Sequence, residues 1–323
     1  MGNKRQIAGT GAFLAMLILI LDGKTYVQGA CDGIELCIRT VIPSLFPFFV
    51  LSNLITCSYI GVPIRCLRPI GKLCGIPEGM ESVLIPAFLG GYPVAAQTIA
   101  QGWCQGQIPK EDAQRMLGFC NNAGPSFLFG IAASLFPRPE AAWLLWGIHV
   151  FAALMTSRMF PPACCYSGNL TRRDISLPQI LRNAMNAMAS VCGWILLFRV
   201  MIAFLKRWIL WLLPVPAQAA VVGMLDLSNG CMGLFAVDEL PLRFVICSGI
   251  LAFGGLCVFM QIASAANGLS LKCFFQGKCI HTLISILLAS GIAYRKPVLL
   301  LVPTILFLIK SRKNGSIPVK AGV

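Results

Sequence analysis

The chain has 323 residues, of which 57% are hydrophobic and only 12% charged, with a mean hydropathy of +0.78. That balance excludes an ordinary soluble domain, in which about 25% of residues are charged. The formal charge of +14 does not point to nucleic acid, because Lys and Arg sit in short loops between apolar runs, with no basic stripe carrying interleaved aromatics; this is the signature of a positive-inside membrane topology. The expected class is an all-α polytopic membrane protein.

In chain order, the first apolar run is 7–21, behind Lys4 and Arg5. It has the form of a signal-peptide core. With many spans following, an uncleaved first helix is the simpler reading, and the segment before Cys31 lacks the leucine-type residue of a lipoprotein cleavage site. A proline-bearing span (Pro43, Pro47) follows at 38–60, then a re-entrant candidate at 82–102 and a broken span at 116–136. Spans at 141–160 and 184–205, a second re-entrant candidate at 208–230 and a glycine-rich span at 243–266 come next. Two short runs, 280–293 and 297–310, fall below the ~20 apolar residues a crossing helix needs, so they form either one long helix or a hairpin opened at Tyr294-Arg295-Lys296-Pro297. With both termini cytoplasmic, 17 Lys and Arg, Lys272 and Lys278 among them, lie inside and 8 outside.

The order of breaks repeats. A proline-bearing span, a glycine-broken hairpin and a broken span recur as 184–205, the segment Val222 to Gly230, and a span holding Gly254-Gly255 and Gln261. One intervening crossing at 141–160 gives the halves opposite orientations, as in inverted-repeat transporters. The expected organisation is an N-terminal span and loop (1–33), a first repeat (34–136), a connecting span and basic linker (137–183), a second repeat (184–270) and a C-terminal hydrophobic region with a basic tail (271–323).

Chemistry is expected at the breaks, since hydrocarbon offers no partner to an unwound backbone and such segments survive only against protein or a cavity. In Gly90-Gly91-Tyr92-Pro93 the glycines permit unusual backbone angles and Pro93 suits the first turn of a new helix. The free N–H groups of that helix start would form an anion site, with Gln97 one turn in as a further donor. Asn121 and Asn122 can satisfy freed backbone groups or a ligand, with Gly124-Pro125 ending one half-helix and Ser126 starting the next. Kinked helices packed through glycine and polar interhelical contacts are the plainer explanations. Asn229 and Gln261 supply amides from the second half. Arg199 sits mid-span, where an Arg costs about 2.5–3.5 kcal/mol. It faces an anionic ligand, pairs with an acid such as Asp226, or snorkels toward Lys206 and Arg207. His149 reads as a packing hydrogen bond.

No cofactor, metal or catalytic residue is expected. The 15 cysteines include no C-x-x-C pair, and Cys273, Cys279 and His281 fit no zinc spacing. G-x-S-x-G, H-E-x-x-H and P-loop motifs are missing, so any transport is secondary or passive unless another subunit supplies energy.

The stretches Pro86 to Ala96, Pro109 to Ala113 and Phe119 to Phe127, with looser agreement at Ser228-Asn229-Gly230 and Gly254-Gly255 through Gln261, resemble the bacterial sporulation integral membrane protein family of YlbJ or SpoVV type, within the nucleoside-recognition (Gate) group. The resemblance covers roughly residues 34–270. It implies a fold similar to concentrative nucleoside carriers and movement of a small anion, dipicolinic acid, from mother cell to forespore across the mother-cell-derived membrane. Partners on this reading are the anionic solute, the lipid bilayer, and a second copy or other sporulation membrane proteins, with no nucleic acid. A nucleoside or other small-solute carrier and a non-transporting structural membrane protein are the alternatives.

Overall fold

The computed structural model describes residues 2–59, 62–130, 132–160 and 176–301, with 303 and 305. The basic linker 161–175 and the basic tail after 305 lie outside them. Every regular element among the described residues is helical.

Helix α1 (Gly2–Leu21) leaves Phe13, Leu14, Ile20 and Leu21 exposed, as a lipid-facing helix does. Asp22 caps α2 (Gly23–Leu36), its carboxylate accepting from Thr25 N–H. A widened π turn at Cys37–Val41 then leads into α3 (Ile42–Tyr59). Pro43 and Pro47 lack the N–H a regular helix would use, and the π turn lies immediately before them. Gly23–Ile55 is thus one run long and apolar enough to span, and the boundary expected at 33/34 falls inside a helix. Glycine explains what α2 packs against. A Cβ on Gly33 would lie 2.9 Å from Leu196 Cδ1, and one on Gly29 3.1 Å from Val200 Cα.

The surface helix α4 (Arg68–Leu73) is tied down by Arg68, which pairs with Glu78 at 3.1 Å and with buried Glu81 at 2.8 Å. A 3₁₀ turn (Glu81–Val83) and a π turn (Pro86–Gly90) precede the first break, after which α5 (Val94–Cys104) and the short α6 (Lys110–Leu117) follow. The second break leads to α7 (Pro125–Gly130), so the expected span 116–136 is a helix end, an open segment and two short turns. Helices α8 (Glu140–Ser157) and α9 (Leu177–Trp208) each have spanning length and composition. Next come α10 (Val215–Leu225) and α11 (Leu227–Gly233), interrupted at Asp226 and pressed together where a Cβ on Gly230 would overlap Gly223. The span expected at 243–266 is two helices, α12 (Leu240–Phe253) and α13 (Gly255–Ala265), separated by left-handed Gly254 (φ 83°).

The last of these helices corrects two expectations. Helix α14 (Lys272–Ala293) has 22 residues, so it starts well before the run at 280 and is long enough to span by itself. Lys278, counted among the loop cations, is a buried residue of this helix. A turn at Tyr294–Arg295 follows and helix resumes at 297, with half of 297–310 outside the described residues.

Among the described residues five segments are long and apolar enough to span: those containing α2–α3, α8, α9, α12–α13 and α14. The chain is an all-α, multi-pass membrane protein. One core joins the two halves, with Met80, Ile99, Met116, Leu128 and Leu145 packed with Cys247, Leu251 and Phe274. A second gathers Phe49, Val94, Val191, Ile195 and Cys257. The breaks lie among these two cores.

Candidate functional site

The first two breaks touch backbone to backbone. Gly91 is left-handed (φ 78°), the Tyr92–Pro93 peptide is cis, and the new helix begins with Val94 N–H donating to Gly91 C=O at 3.0 Å. A Cβ on Gly91 would stand 3.1 Å from Gly124 N, and one on Gly124 would stand 3.0 Å from Gly91 Cα. Glycine at both places is therefore a packing requirement. Asn122 fastens the contact: its amide donates to Ala87 C=O in the first break (3.2 Å) and to Phe119 C=O beside the second (2.9 Å). Asn121 donates to Leu117 C=O at 3.0 Å, satisfying a carbonyl at the end of α6. Both asparagines are buried, and neither Oδ1 has a hydrogen-bond partner. Ala123 N–H, in the second break, donates to His149 Nε2 at 2.9 Å.

A third interruption completes the arrangement. Asp226 sits in extended conformation ahead of α11 and accepts through Oδ2 from Asn229 N–H and Asn229 Nδ2, both at 2.8 Å. Gly255 (φ 86°) passes close by, where an added Cβ would lie 3.1 Å from Asp226 N. Gly91 and Tyr92, Ala123 and Gly124, Asp226 and Ser228, together with Gln261, then line one cavity of about 510 Å³. Cavities of about 300–1,000 Å³ hold small organic ligands. A second, amide-rich cavity of about 630 Å³ lies against Pro93, Gln97, Asn183, Asn186 and Ser190, and it shares Val191 and Gln261 with the first.

The sequence-derived residues divide by position. Gly91, Tyr92 and Gln261 line the first cavity, and Pro93, Gln97 and Gln261 the second. Gly90, Asn121, Asn122 and Asn229 are buried and line neither. Ser126 falls in the first turn of α7, and its side chain lies outside the described residues. Arg199 lines neither cavity; its guanidinium points to Asp32 of α2, Nη2 to Oδ2 4.0 Å, while Asp226, considered as its partner, is bound to Asn229.

Three features were not anticipated. Asp226 is a cavity carboxylate, and its Asp-Leu-Ser-Asn context is a capping signal that locates a helix start. His149 and His281 stack with ring centroids 4.6 Å apart, although they are 132 residues apart in the chain. Lys278, 3% exposed, donates to Tyr92 Oη and to Ala252 C=O (3.1 Å). The i, i+3 spacing of Lys278 and His281 on one helix face was the available signal.

No family model matches the chain, and no solved structure does. The chain is 25% identical, over a 331-residue alignment covering 86% of it and 80% of the relative, to the sporulation integral membrane protein YlbJ of Bacillus subtilis (strain 168). It is thus distantly related to a sporulation membrane protein.

Proposed function

We propose that the chain is a secondary or passive carrier of a small organic solute, held in the cavity where the three breaks meet. The observation that supports this most is the convergence itself. Helix breaks far apart in sequence, at 91, 124 and 226, meet around one half-open cavity and leave buried amide oxygens without partners nearby. Unwound backbone in a membrane protein survives against protein or a cavity, and in transporters it forms substrate and ion sites. The two halves, 34–136 and 184–270, act in this account as inverted repeats, and the Lys and Arg bias, with Lys278 left out of it, supports cytoplasmic termini.

The solute class follows from the wall. The carboxylate of Asp226 and the amide of Gln261 accept and donate to hydroxyls, which favours a neutral, hydroxyl-bearing solute of nucleoside type. A dianion beside Asp226 meets like charge. A second reading keeps dipicolinate as the solute: it draws on the distant relationship to a sporulation protein and on Arg39, which also lines the cavity. On either reading the working location is a membrane of the sporulating cell, and the partners are the solute, the bilayer, and a second copy or other sporulation membrane proteins.

Thermal unfolding of the detergent-purified protein with uridine or with dipicolinate separates the two. The nucleoside reading expects stabilisation by uridine that Asp226→Asn weakens. Stabilisation by dipicolinate alone reverses the ranking, and stabilisation by neither favours a structural membrane protein.

A further inference from the structure

Lys278 is a buried lysine that is not among the residues lining the solute cavity. Among the described residues it forms no ion pair, and its Nζ donates to two oxygens, Tyr92 Oη and Ala252 C=O. Both belong to breaks. Tyr92 lines the solute cavity, and its hydroxyl donates in turn to Leu251 C=O at 3.4 Å. Leu251 and Ala252 lie in the last turn of α12, whose final carbonyls lack intrahelical partners because Gly254 ends the helix. A helix C-terminus and a ring face suit an ammonium, and Nζ lies 4.6 Å from the Tyr92 ring centroid. A buried ammonium without a carboxylate is nevertheless costly.

Among the described residues, none of the titratable and charged groups packed around Lys278 forms an ion pair with it. From α8 comes His149, which accepts from Ala123 N–H and so carries no proton on Nε2; an imidazolium could not make that bond. On α14 itself His281 meets His149 C=O, an obligate acceptor, at 3.0 Å and so donates through Nε2. From α12 come Cys247 and Arg243, the latter bound to Val237 and Leu135 carbonyls. From α6 come Asp112 and Arg115, which pair with each other while Arg115 also holds the Cys74 and Gly75 carbonyls. An apolar cavity of about 100 Å³ among Phe253, Phe259, Phe274 and Phe275 also reaches Lys278.

Resting on the carrier reading, we infer that Lys278 is the proton-coupling site of the transporter, binding one proton on Nζ together with the solute and releasing it on the other side. The step balances: the Nζ lone pair takes a proton from solvent to form the ammonium and returns it to solvent as the amine. As ammonium, Nζ can only donate, which orients the Tyr92 hydroxyl toward Leu251 C=O and fixes the cavity wall. As amine, Nζ accepts, so the Tyr92 hydroxyl turns to it and frees a carbonyl beside the Gly254–Gly255 interruption. The proton thereby orders the wall that the solute touches, and the two bind cooperatively as a symport.

The test uses full-length protein in liposomes with labelled uridine and labelled dipicolinate, the membrane potential clamped at zero. Two modes are compared: exchange at equal pH, and net accumulation driven by a pH difference of one unit. Moving one proton with one solute, at about 1.4 kcal/mol per unit, gives the wild type about tenfold accumulation on the alkaline side. Lys278→Arg, permanently charged, loses gradient-driven accumulation, and Lys278→Met, which cannot order the Tyr92 hydroxyl, loses exchange as well. A structural helix cap would be served by Arg, so accumulation by Lys278→Arg overturns the proposal. Should the variants fail to fold, proton uptake by the wild type is read in weakly buffered detergent with a pH indicator: about one proton per bound solute is expected, and none overturns the proposal. Wild-type exchange without gradient-driven accumulation rejects the coupling and leaves the carrier standing. No exchange of either probe rejects both.

Discussion

Asn122 and Arg199 show how differently two polar residues in apolar sequence can be employed. Asn122 is buried and its amide ties one break to the other, so Asn122→Ala removes two hydrogen bonds from the wall behind the cavity. At about 0.5–1.5 kcal/mol per bond the loss is about 1–3 kcal/mol. Thermal unfolding should show that decrease while membrane insertion persists and uptake falls; unchanged uptake would separate the breaks from transport. Arg199 is partly exposed and stands 4.0 Å from an exposed acid. Its pair with Asp32 is worth at most about 0.2–1 kcal/mol, so Arg199→Gln should transport nearly as well as wild type. Abolished uptake in that variant would put Arg199 back into the solute path. Arg199 drew attention in the sequence because an arginine in the middle of a long apolar run is conspicuous. Lys278 did not, because flanking Lys272 and polar neighbours made its surroundings read as loop, and only the tertiary packing of α14 against α8 and α12 buries it.

At the scale of elements, the breaks and the helix starts that follow them were legible, and the start of α2 was not. Gly90-Gly91-Tyr92-Pro93 and Gly124-Pro125 interrupt apolar sequence with residues that cannot continue a helix comfortably, and the interruptions occur there. The beginning of α2 was hidden by Asp22, Lys24, Asp32 and Glu35, which depress local hydropathy. In the fold these acids have partners: Asp22 pairs with Arg207 at 2.9 Å, Glu35 with Arg39 at 3.2 Å, and Asp32 faces Arg199. Helix α2 approaches α9 through Gly29 and Gly33, the small-xxx-small spacing by which membrane helices come close. Gly33→Leu should therefore force α2 away from Leu196 and Arg199 and lower the unfolding temperature, whereas the same change at Gly147, whose Cβ position is open, should leave it nearly unchanged. Equal behaviour of the two variants would mean that the α2–α9 contact contributes little to stability.

For the whole molecule, the class was visible in composition, and the lining of the candidate cavity was visible in part. The pattern of breaks predicted which segments would unwind, but their convergence depends on contacts that no local pattern encodes: Gly91 against Gly124, Tyr92 beside Gly254, and Gly255 against Asp226. The central claim is that this convergence forms a solute path. It is tested most directly by uptake of labelled uridine and dipicolinate into liposomes holding wild type or Gly91→Val, whose side chain would enter the Gly91–Gly124 contact at a left-handed position. The account predicts saturable uptake of one solute by the wild type and none above empty liposomes by Gly91→Val. Uptake of both probes by the wild type no faster than by empty liposomes would contradict it.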